Sequence, residues 1–220
     1  LANRIGEATL NEAEAFDAVS ALCTGSRYSP EAFAKAWENV LFNQFHDIVP
    51  GSGVIGTREY AMGIFQRTMA IANTRRKQAM QKIAAQIDTS ALIPADEEIG
   101  ETRSEGAGVG FGIQDFKIAQ AERGRGVNRI FHVFNPAPVD REETAEIVVW
   151  DWQGDPERIL FKDDQGNPVK HQLIDQGINH YWGHSYMRIL LKANVPAYGY
   201  RTYTMTENQD ATLTDNFPRD

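Results

Sequence analysis

The apolar residues of this chain change their spacing once. Up to about residue 88 they recur every three or four positions; from Asn128 onward they alternate or gather in short runs. The first pattern gives a helix one buried face, and the second suits strands. A chain that keeps the two patterns apart cannot interleave helices with parallel strands. It reads as a segregated α+β fold.

Three helices are expected within residues 1–88. The first, about residues 3–23, sets Ile5, Ala8, Phe16, Val19 and Leu22 near one face. The second opens at Ser29, a favoured N-cap residue, with Pro30 at the first helical position and Glu31 suited to the helix dipole. Its stripe is Phe33, Trp37, Val40, Leu41, Phe45 and Ile48, and Pro50-Gly51 is expected to stop it. The third runs from near Thr57 to about Asp88 along Ala61, Ile64, Phe65, Thr68, Ala72, Ala79, Ile83 and Ile87, roughly 45 Å at helical rise. Three helices with short turns and one apolar face each can bury those faces only against one another, as a three-helix bundle.

Residues 89–127 are rich in Gly and charge and have little periodicity, which suits a linker. The stretch GAGVGFG lacks the Lys-Ser/Thr of a phosphate loop and follows no clear strand, so it does not support nucleotide binding. Residues 128–208 then hold RIFHVFN, AEIVVWDW, RILFKDDQGNPVKHQLI and SYMRILLKANVPAYGYRTYTM. These are short β-branched and aromatic runs divided by turn residues, with a turn at Asp164-Gln165-Gly166-Asn167 and a hinge at Pro196 and Gly199. An antiparallel, sandwich-like domain is expected there, incomplete as it stands, with a polar tail over 209–220.

Acidic residues outnumber basic ones by 30 to 22, for a net charge of −8. That balance argues against a nucleic-acid or anionic-membrane surface, each of which needs a basic patch. No apolar run approaches the roughly 20 residues of a membrane span. The single cysteine, Cys23, rules out an internal disulfide framework and fits a reducing compartment. Set among Ala, Val and Leu, it is expected to be buried and inert. The chain opens on Leu-Ala-Asn-Arg, and the expectation is a piece of a longer polypeptide.

The chemistry-bearing candidates are His46 and Asp47, inside FNQFHDIVPGSG, where the second apolar stripe runs out. The plain reading is a helix-end histidine bonded to a carbonyl beside a polar residue. Yet a carboxylate is disfavoured at the negative end of a helix dipole, which suggests another duty. A bound cation would resolve the conflict, since neutral imidazole ligates zinc and a cation favours an ionised carboxylate. One imidazole is not a metal site. The other histidines, His132, His171, His180 and His184, all lie in the β half, and Tyr, Trp and Gly within HYWGH make a helical ligand pair there a poor fit. Asp163-Asp164 is accounted for by turn chemistry, and Asp96-Glu97-Glu98 by solvation. With no Gly-x-Ser-x-Gly elbow and no Cys-x-x-Cys, the chain does not carry a complete active site.

The stretch LFNQFHDIVPGSGVIGTREYA resembles the middle helical region of family 38 glycoside hydrolases, the retaining α-mannosidases. ANRIGEATLNEAE resembles the first helix of that region, VFNPAPVDREE the start of the family's β region, and VPAYGYRTYTM a later strand pair of it. The resemblance implies that His46 is one ligand of an active-site divalent metal, usually zinc, and that Asp47 contacts the hydroxyls of the mannose being cleaved. It also implies that the remaining ligands and the nucleophilic Asp lie in an amino-terminal α/β domain absent from this chain. No catalytic nucleophile is then expected here, no tight metal binding by this chain alone, and no activity of the fragment. The implied partners are a mannose-containing oligosaccharide and the missing catalytic domain, with no nucleic acid and no membrane; a cytoplasmic bacterial enzyme is the implied setting. The competing reading is a non-catalytic carbohydrate- or protein-binding module, for which Trp150, Trp152, Tyr181 and Trp182 could form an aromatic platform or, more simply, a sheet core.

Overall fold

The computed structural model describes residues 1–92, 101–103, 122–124, 126–179 and 183–209. These fall into two compact units that divide between Ile87 and Asp88. Helices α1 (Ala2–Thr24), α2 (Pro30–Phe42) and α3 (Ile55–Ala84) form the first, each packed on the other two. The fold is segregated α+β, with the strands following the helices.

The core of the helical unit is Leu10 and Ala13 of α1, Phe33, Ala36 and Val40 of α2, and Ile71 and Ala72 of α3. The buried face of α1 is not the expected one. Gly6, Leu10, Ala13, Asp17 and Ser20 are buried, whereas Ile5, Val19 and Leu22 are exposed. This face carries small side chains at Gly6, Ala13 and Ser20, and a Cβ on Gly6 would stand in ordinary contact with the Phe65 ring of α3 at 3.5 Å. The buried polar residues are used as well. Asp17 accepts the Ser29 N–H at 3.0 Å, holding the loop that starts α2. Ser29 takes the N-cap position without a side-chain bond. Glu14 accepts from the Tyr28 hydroxyl at 2.5 Å and the Trp37 indole at 2.9 Å, which ties α1 to α2. Cys23 is exposed near the end of α1, because the helix turns another face inward.

The long connection expected over 89–127 lies largely outside the described residues, and so does GAGVGFG. Within it β1 (Glu101–Arg103) and β2 (Glu122–Gly124) pair antiparallel. The remaining strands are β3 (Arg129–Phe134), β4 (Arg141–Trp150), β5 (Ile159–Asp163), β6 (Pro168–Val169), β7 (His171–Asn179), β8 (His184–Val195) and β9 (Tyr200–Glu207). They build a four-stranded sheet, β3-β9-β5-β6, and a three-stranded sheet, β4-β8-β7, both antiparallel. Their inward side chains form one core, including Val149, Phe161, Ile189, Leu191, Tyr203 and Met205. Alternating burial along β8 is the period-two signature of a sheet with one face covered.

Two polar residues fix how the sheets meet. Tyr203 of β9 is 1% exposed; its hydroxyl accepts the Asn194 N–H at 2.9 Å and donates to the Asn194 carbonyl at 3.2 Å, crossing to β8. Asn135, after β3, is buried and donates through Nδ2 to the carbonyls of Val139, Val195 and Pro196. Its Oδ1 accepts the Ala137 N–H at 3.0 Å. The Asn-Pro turn is thereby bound to the corner between β8 and β9.

Asn135→Ala leaves these carbonyls and one N–H without that partner. We expect a loss of about 2–4 kcal/mol in urea unfolding, and a loss within error of zero would contradict the role. His132 of β3 sets a pH dependence. It is half-buried with Nδ1 2.9 Å from Thr202 Oγ1, and burial holds its pKa below the ordinary 6.5. The unfolded chain therefore takes up the proton first as pH falls, and stability is complete above about pH 6.5 and declines below it. His132→Gln should flatten the difference between unfolding midpoints at about pH 5 and about pH 8; an unchanged difference would contradict this origin.

Candidate functional site

Helix α2 ends at Phe42, earlier than Pro50-Gly51, and residues 43–51 continue as successive turns. Backbone bonds change to short range: Gln44 N–H to Leu41, Phe45 N–H to Phe42, and Ile48 and Val49 N–H both to Phe45. His46 and Asp47 therefore stand on a turn beyond the helix. The conflict with the dipole is relaxed, because that effect fades within the last helical turn. Asp47 needs no cation to be tolerated there, and its position is not itself a sign of one.

The turn is closed on its far side. The Asp47 carbonyl accepts the Gly53 N–H at 2.9 Å, and the Ser52 hydroxyl lies 3.4 Å from it. Gly51 has φ of 81°, a conformation that suits glycine, and a Cβ on Gly53 would come within 3.3 Å of the same carbonyl. The PGSG run thus folds back onto the backbone of Asp47. On the near side, Asn43 is buried and its Nδ2 donates to the Ala61 carbonyl of α3 at 3.0 Å. Sequence reasoning had not singled out Asn43. The available signal was an amide one turn after Asn39 on an otherwise apolar stripe.

His46 Nε2 lies 3.5 Å from Asp47 Oδ2, with the side chains 77% and 56% exposed. The imidazole rests on the Phe45 ring, centroids 4.1 Å apart. The pair therefore presents a nitrogen and a carboxylate outward from a backbone that is internally bonded. An imidazole and a carboxylate are suitable donors for a borderline divalent cation, but zinc takes at least three protein ligands. Among the described residues no group of three or more His, Cys, Asp or Glu is gathered to hold a metal ion. Among the described residues only these two donors stand together at this turn, fewer than zinc takes.

The β-unit histidines have their own surroundings. His132 meets Thr202, and buried His171 packs its ring 5.2 Å from that of Phe161. His184 Nδ1 lies 2.8 Å from Asp151, while His180 is outside the described residues. Of the aromatic platform candidates, Trp152 donates to the Val127 carbonyl at 2.7 Å and packs against the sandwich core. Trp150 packs on Tyr186, centroids 5.8 Å apart. Tyr181 and Trp182 lie outside the described residues. No described helix is long and apolar enough to cross a membrane.

Comparison with known proteins bears on the helical unit first. Residues 1–90 match the family model described as the alpha mannosidase middle domain. An alpha-mannosidase from Enterococcus faecalis V583 has a similar fold, with a TM-score of 0.62 and 16% sequence identity over 94% of this chain. The match spans 22% of that enzyme's chain. No curated protein sequence matches. The segment that closes into three helices and carries His46 and Asp47 at one turn, residues 1–90, is the part of the chain that is similar to the alpha mannosidase middle domain.

Proposed function

We propose that this chain is the central part of a retaining α-mannosidase that hydrolyses terminal α-mannosyl linkages. In this reading His46 and Asp47 complete an active site shared with an amino-terminal α/β domain outside the chain. The observation that carries it is the outward presentation of an imidazole and a carboxylate on a closed turn of an alpha mannosidase middle domain. The surface around the pair adds support. Phe45, Val49, Val54 and Ile55, which flank the pair in sequence, are all more than half exposed. A domain docked there would cover them and bring the missing carboxylates and ligands to His46.

The residues act as follows. His46 supplies one neutral imidazole to a zinc or other divalent ion, with its ring held against Phe45. The bound ion would supply positive charge to orient and polarise sugar hydroxyls. Asp47, as a carboxylate, has only acceptors to offer and can accept hydrogen bonds from two hydroxyls of one pyranose. Hydrogen bonds of that kind strengthen as the ring flattens toward an oxocarbenium-like transition state. The nucleophilic carboxylate and the general acid belong to the absent domain, so the chain alone would be inactive and bind zinc weakly.

The test uses the full-length polypeptide, an aryl α-mannoside and metal content by mass spectrometry. His46→Ala should lose most of the metal and nearly all turnover. Asp47→Asn should keep the metal and lose about a thousandfold in kcat/KM, the equivalent of several kcal/mol of transition-state binding. Retention of both metal and rate by His46→Ala would contradict the assignment.

A further inference from the structure

Of residues 41–47, only Asn43 has a buried side chain. It lies one residue past the end of α2 and three before His46. Its backbone N–H closes the helix on the Asn39 carbonyl at 3.2 Å, while its Nδ2 reaches across to the Ala61 carbonyl in α3. The bonds described for the rest of the turn are local, running between Leu41 and Gly53. Among the described residues the amide of Asn43 is therefore the hydrogen bond between the base of the turn and the long helix beside it, next to an edge-on contact of the Phe42 ring with Tyr60 at 5.8 Å.

That tie is kept at a cost. Asn43 Oδ1 is buried with no partner among the described residues, and so is Asn39 Nδ2 one turn earlier. A buried acceptor left unpaired offsets much of what the single bond contributes, and an apolar side chain of similar size would avoid it. An amide gives what an apolar side chain cannot, namely direction: one donor aimed at one carbonyl sets both the distance and the rotation of α2's end on α3.

We propose that Asn43 is the positioning residue of this site. Its amide, held on the Ala61 carbonyl, fixes where the chain leaves α2 and so where His46 and Asp47 stand. The proposal rests on the reading of His46 as a metal ligand. A ligand arriving on an exposed turn is as well placed as the turn's own anchor; groups bonded directly to a ligand are worth about 10- to 100-fold in affinity, which sets the scale for an anchor one step further back.

The experiment uses the full-length polypeptide with Asn43→Leu, Asn43→Ala, Asn39→Leu and His46→Ala. The readouts are the zinc dissociation constant by chelator competition, the absorption bands of the cobalt(II)-loaded protein, and far-ultraviolet circular dichroism. Asn43→Leu should stay helical, bind zinc about 10- to 100-fold more weakly and shift the cobalt bands. Asn39→Leu, in the same seam but without a bond to α3, should leave both metal readouts unchanged. The alanine variant tests the same bond without added bulk, so misfolding of one variant does not remove the test. Wild-type affinity and an unshifted spectrum in folded Asn43 variants, while His46→Ala loses zinc, would overturn the positioning role alone. Equal weakening by Asn39→Leu would overturn it in favour of packing. Zinc retained by His46→Ala would overturn the ligand reading and this proposal with it.

Discussion

The hydrogen bond from Asn43 to Ala61 joins the exposed end of α2 to α3, beside the contact of Phe42 with Tyr60. Below it, apolar contact determines the structure: Phe33, Val40, Ile71 and Ala72 exclude water in a seam where register follows from side-chain shape. Above it, no apolar burial guides the chain, because Gln44, Phe45, His46 and Asp47 are all exposed. Between these regimes one directional bond converts the position of a helix into the position of a turn. The PGSG return then closes that turn on the Asp47 carbonyl, so the backbone carrying His46 and Asp47 is bonded on its far side as well.

The β unit solves a similar problem with the same kinds of groups. Its core is apolar and comes from both sheets, which fixes that they pack but not how they meet at the edges. Tyr203 and Asn135 supply that information. One hydroxyl satisfies both backbone groups of Asn194, and one amide holds three carbonyls at a corner where the chain passes between sheets. Burial raises the pKa of the Tyr203 hydroxyl, so the link remains neutral across the ordinary pH range.

The strands were legible because their signals are local. Alternation marks β8, Gly166 with φ of 85° makes the turn after β5, and the Pro196–Gly199 hinge separates β8 from β9. The helices were legible as helices but not always by face. The periodicity of α1 pointed to Ile5, Val19 and Leu22, while packing selected Gly6, Leu10 and Ala13, a face with fewer large apolar residues. The end of α2 was misplaced for a related reason. Leu41 and Phe45 continue the apolar spacing, yet both are exposed, so an exposed apolar residue beside a turn resembles a core residue in sequence. His46 and Asp47 could be picked out by type and placement, and their suggested duties came from a family resemblance. Asn43 remained hidden because a lone amide has no periodic signature.

The central claim is that this chain contributes one metal ligand to a site completed by another domain. Anomalous diffraction at the zinc edge, from crystals of the full-length polypeptide, tests it most directly. A peak is expected about 2.0–2.1 Å from a nitrogen of His46, with the other protein ligands outside residues 1–220. A zinc peak in the active site with His46 beyond coordination distance would contradict it.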